Sequence, residues 1–135
     1  YAISSVDADT IDEVNILNAS RMAMEEAIAK LNHTYDIILT DCMKMKGYDV
    51  PVVDLIHGDA LSQTIAAASI LAKVSRDRLC EELDKKYPQY HIKKNKGYGT
   101  KDHLLALKEF GPVKHLHRYS YAPVKACFIE KISLF

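Results

Sequence analysis

Cysteine is scarce in this 135-residue sequence: Cys42, Cys80 and Cys127 are widely spaced, odd in number and form no C-x-x-C pair. That pattern argues against a disulfide framework and a zinc knuckle, and it fits a reducing, cytoplasmic setting. Long hydrophobic runs are missing as well. No stretch approaches the ~18 consecutive apolar residues of a membrane span, and no charged-then-apolar leader opens the chain, so the expectation is a soluble protein with no membrane partner. Internal repeats and low-complexity tracts are absent too. What remains is one domain's length of chain with 48% apolar residues, enough to bury a core. The chain begins on Tyr1, and "YAISSV" reads as a strand with no lead-in, which suggests a fragment of something longer.

Net charge is zero, but its distribution is uneven. From Tyr1 to Ala60 eleven acids face four bases, a balance of −7; from Lys85 to Lys125 ten bases face Asp102 and Glu109, a balance of +8. Acid at one end and base at the other suggests cation ligands beside a polyanion-binding surface. Two oppositely charged solvated faces account for the same counts.

Apolar periodicity alternates between strand and helix, the pattern of an α/β domain. After "YAISSV" a helix is predicted from about Thr10 to Leu31, with Ile16, Met24, Ile28 and Leu31 roughly on one face. The acids Asp7, Asp9, Asp12 and Glu13 lie at its N-terminal end, where capping explains them without a metal. "DIILTD" resembles a buried parallel strand whose carboxyl end carries Asp41, and "VPVVDLIHGD" is the next strand, turning at Gly58. A second helix is expected from about Leu61 to Lys86, stopping before Pro88. The small residues of its first half, "TIAAASILAK", predict close packing on the sheet. "KKYPQYHIKKNKGYGTKDH" holds too many Lys and Gly residues for a core element and reads as a loop. Thr100 then caps a last helix that ends at Gly111-Pro112.

Asp41 and Asp59 thus stand at or just past the carboxyl ends of consecutive strands, the edge where sites collect in open α/β sheets. Converging carboxylates repel one another unless a cation neutralises them, and an all-oxygen cluster suits Mg²⁺ or Mn²⁺. Two such ions can clamp the attacking and leaving oxygens of a phosphodiester. For Asp59 the competing explanation is a plain helix cap. For Asp41 it is a receiver-like signalling module, since "YDIILTDCMKMKGYDV" is similar to the phosphoacceptor strand of response-regulator receivers. Lys44 and Met45, however, stand where Met-Pro is expected, and no clear Lys-Pro pair follows.

The wider constellation separates these readings. "HGDALSQTIAAASILAKVSRD" (57–77), "KNKGYGTKDHLLAL" (94–107), "FGP" (110–112) and "HRYSYAPV" (117–124) closely resemble bacterial ribonuclease HII, and "IDEVNILNASRMAM" (11–24) fits the same family. The resemblance implies a ribonuclease H-like mixed sheet flanked by helices, with a C-terminal helical segment. It implies four carboxylates binding two divalent ions, Mn²⁺ or Mg²⁺, and cleavage of RNA in RNA–DNA hybrids or at ribonucleotides embedded in DNA. Asp41 matches the acid of the family's "D-G" strand end and Asp59 that of its "K-G-D" turn. Cys42 replaces the usual Gly and His57 the usual Lys. Tyr98 in "GYGT" matches the tyrosine that stacks near the ribose and helps sense the 2′-hydroxyl, the group that distinguishes RNA from DNA. Lys73, Lys96 and Arg118 are candidate phosphate contacts, against a solvated basic side chain for each. Ser69 is either a site hydroxyl or a small packing residue. His115 and His117 suit hard, oxygen-seeking ions poorly.

The family's Asp-Glu pair and Gly-Arg-Gly motif have no counterpart here. "IDEVN" (11–15) is a decoy, because no Gly-Arg-Gly follows it. The resemblance therefore makes residues 1–135 the C-terminal portion of one ribonuclease H-like domain lacking its first strands. About 1–86 supply sheet and helices, and about 87–135 a basic substrate-binding loop and C-terminal helices. Little or no nuclease activity is expected of this chain alone, and an open sheet edge could support self-association. A catalytically silent hybrid-binding module is a further alternative.

Overall fold

The computed structural model describes residues 1–132, with side chains described through Cys127. It is an α/β fold whose elements run α1 (Ala8–Val14), α2 (Ile16–Ala29), β1 (Ile38–Asp41), β2 (Val52–Leu55), α3 (Gly58–Leu61), α4 (Gln63–Lys86), a 3₁₀ turn (Pro88–Tyr90), α5 (Ile92–Asn95), α6 (Lys101–Phe110) and α7 (Ala122–Ile132). The described residues form two compact units, one from Tyr1–Ser5 and Ser20–Val74, the other from Val6–Ala19 and Ser75 onward.

In the first unit β1 and β2 pair in parallel, Ile38 opposite Val52 and Asp41 opposite Leu55. Pro51 lies just before β2, where its carbonyl accepts the Ile38 N–H at 2.9 Å and its missing N–H costs the ladder nothing. Ile38, Thr40, Met45, Gly58 and Ile65 are its buried residues. The predicted strand at "YAISSV" does not form. Exposure still alternates with period two along Tyr1–Val6, but among the described residues no neighbouring strand pairs with it. A strand needs a partner for its backbone groups, whatever its side-chain pattern.

The predicted helix over 10–31 is broken in two at Asn15, whose backbone is left-handed (φ 70°). With ψ at 165° this is a conformation other residues than glycine adopt at a cost, and the Asn15 side-chain oxygen accepts the Asn18 N–H at 3.1 Å to open α2. The helix expected over 61–86 forms as α4, from Gln63 to Lys86. Ser62 is extended between α3 and α4, and its hydroxyl accepts the Ile65 N–H at 3.5 Å. It is α3 that packs on both strands. The small-residue half of α4 is largely exposed, Ser69 and Ile70 included, so close seating on the sheet is not observed.

The second unit holds the denser core. Cys80, Tyr90, Ile92, Ala106, Leu107 and Val124 are buried together, with Tyr90 1% and Val124 2% exposed. Tyr90 and Ile92 lie inside the segment that composition marks as a loop. Five of its six lysines are exposed while these two side chains are buried, and the Tyr90 hydroxyl donates to the Gly111 carbonyl at 2.6 Å. Thr100 caps α6 by accepting the His103 N–H at 3.4 Å, and Gly111 ends it at φ 77°, as predicted. That helix is not the last, since α7 follows it.

Candidate active site

β1 delivers Asp41 to the carboxyl end of the parallel pair. The next residue, Cys42, is left-handed (φ 52°) and donates its N–H to the Leu55 carbonyl at 3.0 Å, so the chain turns away while still tied to β2. Asp41 Oδ1 accepts the Gly58 N–H at 2.9 Å. A side chain at position 58 has no room: an ideal Cβ there would lie 2.7 Å from Ile65 Cδ1, 3.3 Å from Leu55 Cβ and 3.4 Å from Asp41 Cα. Glycine lets the two turns approach, and the residue it brings along is Asp59.

Asp59 is not the cap of its helix. The cap position is His57, left-handed (φ 55°) and without a side-chain cap bond. Asp59 sits in the first turn of α3, exposed, with no hydrogen bond or ion pair among the described residues. Both departures from the family pattern, Cys42 and His57, thus occupy left-handed backbone. Glycine takes that conformation freely and other residues at a cost. Ser69 and Lys73 lie on the exposed surface of α4.

As donors, Asp41 and Asp59 offer hard carboxylate oxygens of the kind Mg²⁺ and Mn²⁺ prefer. No group of three or more His, Cys, Asp or Glu side chains converges among the described residues. The donor chemistry of the two acids suits such an ion, and on their own they do not make up a group of three.

The remaining candidates belong to the second unit. Tyr98 is 61% exposed at the tip of a tightly bonded loop. Buried Asn95 donates to the Tyr90 carbonyl at 2.7 Å and accepts the Gly97 N–H at 2.8 Å. The Asn95 carbonyl then accepts the Tyr98 N–H at 2.9 Å. Arg76 Nη1 donates to the Tyr98 hydroxyl at 3.2 Å, and its guanidinium lies 5.1 Å from the ring centroid, a cation–π distance. That hydrogen bond, followed by the nearby charges, holds the Arg76 pKa above its ordinary value, although burial works against it. Lys96 is half-buried on left-handed backbone (φ 53°), and Arg118 lies 5.2 Å from the Tyr121 ring. A cavity of about 170 Å³ in this unit is lined by Gly97, Gly99, His103, His117, Arg118 and Tyr121, among others.

The acids of the N-terminal helix are engaged elsewhere. Asp7 caps α1 by accepting the Thr10 N–H at 2.8 Å. Asp9 pairs with His115, and Asp12 accepts the backbone N–H groups of Tyr119 and Ser120 together with the Ser120 hydroxyl. Sequence reasoning missed Arg76 and the His103–His117 pair, although both stand inside quoted motifs. A cation one helix away from an exposed tyrosine, and two histidines flanking a helix, are the signals that were there to weigh.

With Asp41 ending β1 and Asp59 in the first turn of the helix that follows β2, the two joined through the Gly58 N–H, the parallel pair and its flanking helices define an α/β protein. The chain belongs to the ribonuclease HII family, whose model, described as Ribonuclease HII, matches residues 1–124. It is 50% identical over 125 residues to the ribonuclease HII of Desulfitobacterium hafniense (strain DSM 10664 / DCB-2), covering 93% of this chain and 48% of that protein. The ribonuclease HII of Ruminiclostridium cellulolyticum is 52% identical over 121 residues, covering 90% of this chain and 47% of the relative. That of Acholeplasma laidlawii is 51% identical over 122 residues, covering 90% and 59%. The chain spans about half the length of most of these relatives. The α/β fold, with its parallel pair and flanking helices, accords with a ribonuclease H-like architecture.

Proposed function

We propose that the complete protein is an endonuclease that hydrolyses the RNA strand of RNA–DNA hybrids and cuts at ribonucleotides embedded in DNA. The observation that carries this reading is the Asp41–Gly58 hydrogen bond, which couples one strand-end acid to the turn bearing the second. Family membership supports it.

In this reading Asp41 and Asp59 hold the divalent ions, Mg²⁺ or Mn²⁺, two in the complete site. When bound, such ions lower the pKa of an attacking water and stabilise the departing 3′-oxygen. Asp41 keeps one carboxylate oxygen on the Gly58 N–H and so presents the other in a fixed direction. Tyr98 places the ribose, its phenol steadied by Arg76. Lys73, Lys96 and Arg118 hold phosphates, contacts that position a duplex without reading its bases. Ser69, on the exposed surface of α4, is available to the substrate rather than to the core. With two of the four metal-binding carboxylates that the family resemblance implies, this 135-residue chain alone is weakly active or inactive.

The test is cleavage of a duplex carrying one embedded ribonucleotide by the complete protein with Mn²⁺ or Mg²⁺. Cutting beside the ribonucleotide, lost on chelation and reduced at least about 10²-fold by Asp41→Asn or Asp59→Asn, is the expected result. Retention of the duplex without cleavage would indicate a silent binding module and overturn the proposal.

A further inference from the structure

Two buried histidines lie behind the tyrosine loop, and their hydrogen bonds assign a tautomer to each. His117 Nδ1 accepts the Val113 N–H at 2.9 Å. A neutral ring whose Nδ1 accepts carries its proton on Nε2. That nitrogen faces His103 Nε2 at 3.3 Å, which must then accept. The His103 proton is left on Nδ1, 3.0 Å from the Tyr98 carbonyl oxygen. From Val113 through both rings to Tyr98, donors and acceptors alternate in one direction, and each ring has a single consistent proton position.

The surroundings favour the neutral form of the His117 ring. His103 and His117 are buried, and the Tyr90 ring packs against them with centroids 6.3 Å and 4.9 Å away. Burial, followed by the neighbouring His103, pushes the His117 pKa down to about 4, so at neutral pH it carries no charge that would reverse the relay. At the far end, the Tyr98 carbonyl accepts a second bond from the Thr100 N–H at 2.8 Å. Gly97 and Gly99 flank the tyrosine and by themselves leave its backbone free to wander. The relay fixes the carbonyl while Arg76 fixes the hydroxyl.

We propose that His103 and His117 are positioning residues that hold Tyr98 for its encounter with the ribose. The proposal rests on the reading of Tyr98 as the ribose contact, and it adds the part of the fold that sets that contact's geometry. A reacting group displaced by as little as 1 Å can lose much of its effect, so loss of the relay shows in catalysis rather than in folding alone.

Steady-state cleavage of a duplex with one embedded ribonucleotide, measured on the complete protein, tests it. His103→Leu is expected to lower kcat/KM about tenfold. His103→Asn, whose amide N–H stands in for the Nδ1 donor, is expected to recover it to within about twofold. In a Tyr98→Ala background, His103→Leu is expected to cost nothing further, because the group it positions is gone. Equal losses from His103→Leu in both backgrounds would reduce the pair to core filling and overturn the proposal while leaving the Tyr98 reading intact. No loss from Tyr98→Ala itself would overturn both. Should His103→Leu fail to fold, His117→Asn and ¹⁵N NMR of the histidine rings decide: protons on His117 Nε2 and His103 Nδ1 support the relay, and the opposite tautomers overturn it.

Discussion

Gly58 carries more of the site than its size suggests. Its N–H donates to Asp41, its missing side chain admits Ile65, Leu55 and the Asp41 backbone, and its successor is Asp59. In Gly58→Ala the Ile65 methyl can swing aside, but Leu55 Cβ and Asp41 Cα are fixed by paired strands. The substitution is expected to destabilise the fold by about 1–3 kcal/mol, read as a lower urea midpoint at unchanged m-value. From the sequence, Gly58 was legible as a turn and Asp41 as a strand-end acid. The bond between them was not, because it depends on the register that sets Asp41 opposite Leu55, and register is settled by pairing across the sheet. Asp59 as helix cap was the natural local reading. It failed because the helix starts two residues earlier, with His57 at the cap position on left-handed backbone.

Helix α1 illustrates what element-level reading captures and what it omits. Its acidic N-terminus was legible as capping, and Asp7 does cap. Asp12 instead reaches a turn over 100 residues later, accepting from Tyr119 and Ser120, a contact no local pattern encodes. Burial opposes ionisation of its carboxyl, but the Ser120 and Tyr119 hydrogen bonds and the Arg118 charge outweigh it and hold the pKa below the ordinary value. A lowered folded-state pKa contributes stability that is present above the unfolded value of about 3.9 and lost as pH falls through the folded one. Asp12→Ala is therefore expected to cost about 1–2 kcal/mol at pH 7, the range for hydrogen bonds to a charged group on a partly exposed carboxylate. The deficit should shrink as pH falls below 4 toward the folded-state pKa, in urea titrations from pH 7 down to pH 2.5. The basic segment after α4 teaches the complementary point: composition averaged over nineteen residues hid Tyr90 and Ile92, whose neighbours' lysines face water.

At the scale of the whole molecule, composition and alternation were enough for the α/β class and the resemblance of the longer motifs for the family, whereas strand formation at Tyr1–Val6 depended on neighbours the sequence pattern does not supply. The charge division was equally visible, but counting bases overstates how many are ready for phosphate. In the second unit Lys93 pairs with Glu81 at 3.5 Å and Lys94 with Asp102 at 2.8 Å, all four side chains well exposed. Such pairs are individually weak, yet a phosphate must displace the carboxylate before the lysine releases counterions on its behalf. The Lys96 backbone N–H is bonded to Ile92, but its side-chain ammonium makes no hydrogen bond or ion pair among the described residues, and it stands two positions before Tyr98. Binding of the complete protein to an RNA–DNA duplex, measured without divalent ions, should weaken linearly in a plot of log affinity against log salt. Lys96→Ala is expected to reduce the slope by about 0.9 and to weaken binding uniformly across sequences. Asp102→Asn frees Lys94 and is expected to tighten binding at low salt and steepen the slope. An unchanged slope in Lys96→Ala would remove Lys96 from the phosphate contacts, and looser binding in Asp102→Asn would show that the ion pair organises this surface instead of competing with the duplex for it.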